Sequence, residues 1–117
     1  MVSTTIPVAT DDPAAATRDA QRTWVQLSAF QRDVLATIAA FETPPKGLAI
    51  LDVLNAERGG SRSHTGLYPV LNEFVDDGLV QKAARDKRTN EYSLTADGER
   101  VLRAGADRLA DVTGAGE

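Results

Sequence analysis

The stretch Ser63-His64-Thr65-Gly66-Leu67-Tyr68-Pro69-Val70-Leu71-Asn72-Glu73-Phe74-Val75-Asp76-Asp77-Gly78-Leu79-Val80 decides the fold. Ser63 is suited to an N-cap. Leu67, Leu71, Phe74 and Gly78 recur at spacings of four, three and four, which puts them on one helical face. Gly78 falls where a helix needs a left-handed residue to stop, and Leu79-Val80 resumes as apolar, extended chain. Pro69 sits uneasily here, because inside a helix it removes a backbone hydrogen bond and crowds the preceding turn, at ~3 kcal/mol. Either the helix begins nearer Gly66 or it is bent at Pro69. A short helix that runs straight into a strand is placed to present its free face to a partner, with a hairpin beside it.

Two helices precede this stretch. Ser28 and Gln31 form a capping box, and Phe30, Val34, Leu35, Ile38 and Phe41 follow at helical spacing until Thr43-Pro44-Pro45 stops them. Lys46 to about Glu57 is the second helix, with Leu48, Ile50, Leu51 and Leu54 apolar. Arg58-Gly59-Gly60-Ser61-Arg62 then makes a sharp turn, so the pair reads as helix-turn-helix. After Gly78, Leu79 to Ala84 and Glu91 to Leu94 are short strands joined by the polar segment Arg85-Asp86-Lys87-Arg88-Thr89-Asn90, a hairpin with a charged tip. Thr95 caps a last helix whose stripe is Val101, Leu102, Gly105, Leu109 and Val112. The expected fold is mainly α with a small β-hairpin wing, a winged helix-turn-helix of order α-α-α-β-β-α. It spans residues 21–112 and includes a dimerisation helix. Residues 1–20 read as a flexible tail, in which Asp12-Pro13 could cap a short helix from Ala14 to Gln21, and residues 113–117 fray.

At 117 residues the chain makes one domain. The absence of cysteine excludes disulfides, thiolate zinc sites and a thiol switch. A single histidine makes no convincing metal site, no cofactor is expected, and no Ser-His-Asp or paired-carboxylate arrangement points to an enzyme. No apolar run approaches a membrane span, and the expectation is a cytoplasmic protein with no membrane partner. Thirteen basic against seventeen acidic residues give a net charge of -4, which is unusual for a nucleic-acid binder. Eleven Asp with only three Lys against ten Arg fits a proteome adapted to molar salt, where a negative surface keeps proteins soluble.

Six short pieces in order carry a resemblance to the PadR-like winged-helix transcription regulators in their short haloarchaeal form. They are Phe30-Gln31-Arg32-Asp33-Val34-Leu35, Pro45-Lys46-Gly47-Leu48-Ala49-Ile50, Gly66-Leu67-Tyr68-Pro69-Val70-Leu71, Asp77-Gly78-Leu79-Val80, Asp86-Lys87-Arg88-Thr89-Asn90 and Tyr92-Ser93-Leu94-Thr95-Ala96-Asp97-Gly98. The likeness covers about residues 27 to 103. It implies homodimers on operator DNA and a helix that continues across Pro69. Within the family the chain is similar to a haloarchaeal regulator of the oxidative-stress response; a redox signal would here have to act without cysteine. Gly66 stands where many short members carry arginine and Asn72 where they carry an acidic residue, which bears on base preference.

On the helix after Ser63, Thr65, Pro69, Asn72, Glu73 and Asp76 face away from the apolar side. Asn72 has the geometry to pair bidentately with adenine, and Thr65 to touch a thymine methyl or a phosphate. Tyr68 lies at the boundary, its hydroxyl within reach of a phosphate. His64 projects to the apolar side, which favours a structural role. Arg85, Lys87 and Arg88, with Thr89 and Asn90, form the wing tip; Arg62, Ser63 and Lys46 would meet phosphates beside the major groove. For each of these cations alone, a solvated surface charge is the simpler reading; the cluster is what points to double-stranded DNA. Trp24, Val25, Leu27, Val101, Leu102, Leu109 and Val112 are the expected homodimer surface. The competing reading is a winged helix that docks on the transcription machinery without reading bases. A small-molecule effector is left open.

Overall fold

The computed structural model describes residues 13–59 and 64–114, and its elements run α1 (Pro13–Gln26), α2 (Ala29–Ala40), α3 (Gly47–Arg58), α4 (His64–Asp76), β1 (Val80–Ala84), β2 (Asn90–Leu94) and α5 (Ala96–Thr113). From α2 onward this is the expected winged-helix order. The difference lies in front of it. The short helix offered from Ala14 to Gln21 within the tail is present from Pro13, and it continues without a break through Trp24 to Gln26. Proline suits a first helical position, and alanine is the strongest helix former. The face that α1 buries is made of small residues ending in one large ring: Ala20 and Trp24 are both core residues, packed on α5. Residues 1–12 and 115–117, the remainder of the expected flexible ends, lie outside the described residues.

The capping box forms as the sequence predicts. The Gln31 amide donates to Ser28 Oγ at 3.1 Å, and the Ser28 amide donates back to Gln31 Oε1 at 2.7 Å. Arg32, one residue on, ties α1 to α2. Its guanidinium donates to the Trp24 carbonyl at 2.9 and 3.3 Å and lies 4.5 Å from the centre of a Trp24 ring. The last carbonyls of a helix lack intrahelical partners, and a cation there also complements the helix dipole.

Helix α4 spans Pro69 without interruption, and Leu67, Leu71 and Phe74 are fully buried. Its end is a Schellman motif. Gly78 takes φ +78°, its amide donates to the Val75 carbonyl at 3.1 Å, and the Leu79 amide donates to the Phe74 carbonyl at 2.9 Å. Leu79 and Phe74 are both core residues, the apolar contact that accompanies this stop. Ser63, the expected N-cap of α4, lies outside the described residues.

Strands β1 and β2 pair antiparallel, Val80 opposite Leu94 and Ala84 opposite Asn90. The other edge of β2 receives the chain just before α3: Lys46 bridges Glu91, and the Tyr92 amide donates to the Pro45 carbonyl at 2.9 Å. The start of α3 is thereby hung on the wing. Thr95 joins the remaining ends. Its hydroxyl accepts from the Gly98 amide at 3.0 Å, capping α5, and donates to the Gly78 carbonyl at 2.7 Å. The core that results draws on every helix and both strands, with Val34, Leu35, Ile50, Leu54, Phe74 and Val80 among its most deeply buried side chains.

Candidate nucleic-acid interface

The outer face of α4 carries Pro69, Asn72, Glu73 and Asp76, all exposed. Glu73 is not idle. Its Oε1 accepts from Gln31 Nε2 at 3.1 Å, so the residue that caps α2 also holds the exposed face of α4 in place. Arg62 and Ser63 lie outside the described residues, as do the side chains of His64 and Thr65.

Between α4 and the wing lies a groove of about 410 Å³. Its helical wall is Lys46, Gly47 and Leu48 at the start of α3, with Tyr68 of α4; its other wall is Arg88, Thr89, Asn90 and Tyr92. Five residues singled out from the sequence (Lys46, Tyr68, Arg88, Thr89 and Asn90) meet here, although more than forty positions separate the first from the last. The approach of α3 to α4 depends on Gly47. A Cβ there would lie 2.2 Å from the Tyr68 hydroxyl.

The wing tip is ordered by its own turn. The Arg85 and Asp86 amides donate to the Thr89 carbonyl at 2.8 and 3.3 Å, and the Arg88 amide donates to Asp86 Oδ1 at 2.9 Å. That last hydrogen bond holds the Asp86 carboxyl below its ordinary range, against a smaller opposing effect of desolvation. Lys87 and Arg88 are exposed. Arg85 is differently placed. Its Nε donates to Glu91 Oε1 at 3.0 Å and its terminal nitrogen to the Pro44 carbonyl at 3.2 Å, so it braces the hairpin against the α2–α3 loop.

The residues expected at a dimer surface divide by burial. Trp24 and Val101 belong to the chain's own core, and Leu27 and Leu102 are half-buried against it. The Trp24 indole fills the space where Gly105 has no side chain; a Cβ on Gly105 would fall 2.3 Å from the ring. Val25, Leu109 and Val112 are 49%, 55% and 72% exposed and remain free to meet another surface. Sequence periodicity puts both groups in one apolar stripe because it cannot tell which part α1 already covers.

Tyr92 is the groove residue that sequence reasoning passes over, since it lies inside a strand and is 2% exposed. Burial raises its phenol above the ordinary tyrosine value, and the nearby Tyr68 raises it further. Among the described residues no group of His, Asp and Glu is arranged to hold a metal ion, and no helix is long and apolar enough to cross a membrane.

The family model described as the transcriptional regulator PadR-like family matches residues 34–104, more than half of the chain. The chain belongs to this family. Among solved structures, this PadR-like chain is similar to RosR of H. salinarum grown from NaBr, at 37% identity over 74% of this chain and 76% of that one, with a TM-score of 0.69. It is also similar to the structure described as the hsRosR-S4 complex, at 36% identity over 80% and 79% of the two chains, with a TM-score of 0.75. The PcaV transcriptional regulator of Streptomyces coelicolor, solved in complex with its natural ligand, shares the fold at 21% identity over 95% and 81%, with a TM-score of 0.60. A search of curated protein sequences finds no significant match. The PadR-like assignment makes the chain a DNA-binding regulator of transcription with the winged-helix fold.

Proposed function

We propose that this PadR-like regulator acts as a homodimer on a pseudo-palindromic operator in duplex DNA, in a cytoplasm of high salt. Helix α4 enters the major groove with Asn72 and Pro69 toward the bases, and the wing follows the backbone through Lys87 and Arg88. Two copies related by a two-fold axis present their α4 helices one helical turn apart, ~34 Å. The observation that carries this reading is the groove in which Lys46, Tyr68 and Arg88 converge beside the exposed face of α4. It gathers cations from segments far apart in sequence, in a chain whose net charge is negative.

The number of cations at this surface is small, and that suits concentrated salt. Affinity falls with salt at about 0.9 logarithmic units per phosphate neutralised, so few phosphate contacts leave a shallow dependence. The test is a gel shift with the DNA upstream of the chain's own gene, in molar potassium chloride. A discrete shift that survives excess unrelated duplex is the expected result. No shift at any chain concentration would instead favour docking on a protein of the transcription machinery.

A further inference from the structure

The wing-side groove holds more polar hydrogen-bonding capacity than its cations alone supply. Helix α3 starts at Gly47 with Lys46 as its N-cap, and no side chain caps it. The Ala49 and Ile50 amides donate back to the Lys46 carbonyl at 3.0 and 3.2 Å. The Leu48 amide makes no hydrogen bond among the described residues, as the geometry of a helix start requires unless something is supplied from outside. A helix start of this kind is a common feature and points to no ligand by itself.

Tyr92 is the second, independent observation. Its ring is buried to 2% exposure, yet its hydroxyl has no hydrogen-bond partner among the described residues. No described side-chain oxygen or nitrogen is both sealed from solvent and unpaired, so this hydroxyl opens onto a cleft. Tyr92 lines the wing-side groove together with Tyr68, Lys46 and Arg88. A buried phenol with a free O–H donor, a free amide at a helix start, Lys46 and Arg88 therefore border one small space.

We propose that this space is a phosphate subsite, which takes one backbone phosphodiester of duplex DNA and rests on the DNA-binding reading above. The Leu48 amide and the Tyr92 hydroxyl donate to the phosphate oxygens, and Lys46 and Arg88 neutralise its charge. Neutral donors fixed by the fold do not release counterions, so their hold on the phosphate keeps its strength where salt weakens bare ion pairs. Tyr92 is thus a DNA-contacting residue whose ring is part of the core, and it fixes the register of the wing on the duplex.

The experiment is fluorescence anisotropy with two labelled duplexes, the DNA upstream of the chain's own gene and a scrambled duplex of equal length, across a potassium chloride series. Tyr92→Phe removes one oxygen and leaves the ring in place. It should weaken binding to both duplexes about tenfold, the effect of one hydrogen bond to a charged group, with the salt slope and the melting temperature unchanged. Lys46→Ala alters an exposed side chain and should lower the salt slope by about 0.9, the share of one neutralised phosphate. The double variant should be impaired by less than the two single effects combined, because both act on one phosphate. Wild-type affinity in Tyr92→Phe, an unchanged slope in Lys46→Ala, or strictly additive effects would each overturn the subsite and leave DNA binding standing. If inorganic phosphate raises the wild-type melting temperature at matched ionic strength while Tyr92→Phe keeps full DNA affinity, the site takes a free anion and the proposal falls. Absence of wild-type binding to either duplex would remove the DNA-binding reading itself.

Discussion

At the scale of single residues, glycines at close approaches and one arginine carry the sharpest consequences. Gly105 exists for Trp24. A methyl group there would overlap the indole, so Gly105→Ala should destabilise the chain by about 1–3 kcal/mol, read as a lowered denaturation midpoint. Gly98 meets a harder neighbour, since its Cβ would lie 2.1 Å from the Leu79 carbonyl oxygen, which belongs to the backbone and cannot swing away. Arg85 differs from the other wing cations because Glu91 and Pro44 hold it. Arg85→Ala should loosen the hairpin, visible as faster amide exchange at Tyr92 and residue 85, whereas Lys87→Ala with Arg88→Ala should weaken binding to all duplexes without that loosening. Asp86 adds a pH dependence. Its folded pKa is lowered chiefly by the Arg88 amide, so its contribution is present above the unfolded value near 3.8 and disappears as pH falls through the folded value. An amide titration of Arg88 by NMR should follow that change. Tyr92 acts in the opposite direction. Its raised pKa means that stability falls as pH rises from near 10 toward the folded value, because ionisation is easier in the unfolded chain.

At the scale of elements, the ends of the helices do most of the organising, and much of that is legible in the sequence. Ser28 and Gln31 are recognisable as a capping box from their spacing, and Thr95 as a cap from its place before an apolar stripe. Gly78 is readable as a helix stop because only a residue without a side chain adopts φ +78° cheaply. Gly78→Ala should cost about 1–2 kcal/mol and blur the junction of α4 with β1, measurable by chemical denaturation. What local spacing cannot reveal is the second use of each cap. Gln31 also grips Glu73 on α4, and Thr95 also grips the Gly78 carbonyl. Gln31→Ala should therefore lower stability by about 1 kcal/mol and also reduce DNA affinity, by freeing the orientation of α4. Helix α1 is the element that the sequence cuts short, offering a helix only from Ala14 to Gln21. Its buried face is largely alanine, which reads as tail composition until α5 is seen to accept it closely.

At the scale of the whole molecule, packing of α1 on α5 redistributes the apolar stripe of the last helix. Val101 and Gly105 are covered by the chain itself, while Leu109 and Val112 project beyond that cover and Val25 is comparably exposed. A dimer surface placed on the exposed group predicts that Leu109→Asp with Val112→Asp yields a folded monomer by light scattering, with an unchanged circular dichroism spectrum. Trp24→Ala should instead unfold the protein, at about 3–5 kcal/mol, because it empties the core. A folded monomer from Trp24→Ala would place the indole at the subunit boundary after all.

The sequence by itself determined the order of the winged helix, the apolar face of α4, its stop at Gly78 and the caps at Ser28 and Thr95. Those features depend on neighbours within one or two turns, and local periodicity and backbone preference express them directly. Only the tertiary structure decided that Arg85 is a brace, that Trp24 belongs to the core, and that helix α4 presents its exposed face beside a groove shared with α3 and β2. Those outcomes rest on packing between segments tens of residues apart, where burial and hydrogen bonding depend on which surfaces the fold brings together. Tyr92 shows the difference most plainly: strand alternation places its ring inside, and only the meeting of β2 with α3 and α4 makes it part of the groove's lining.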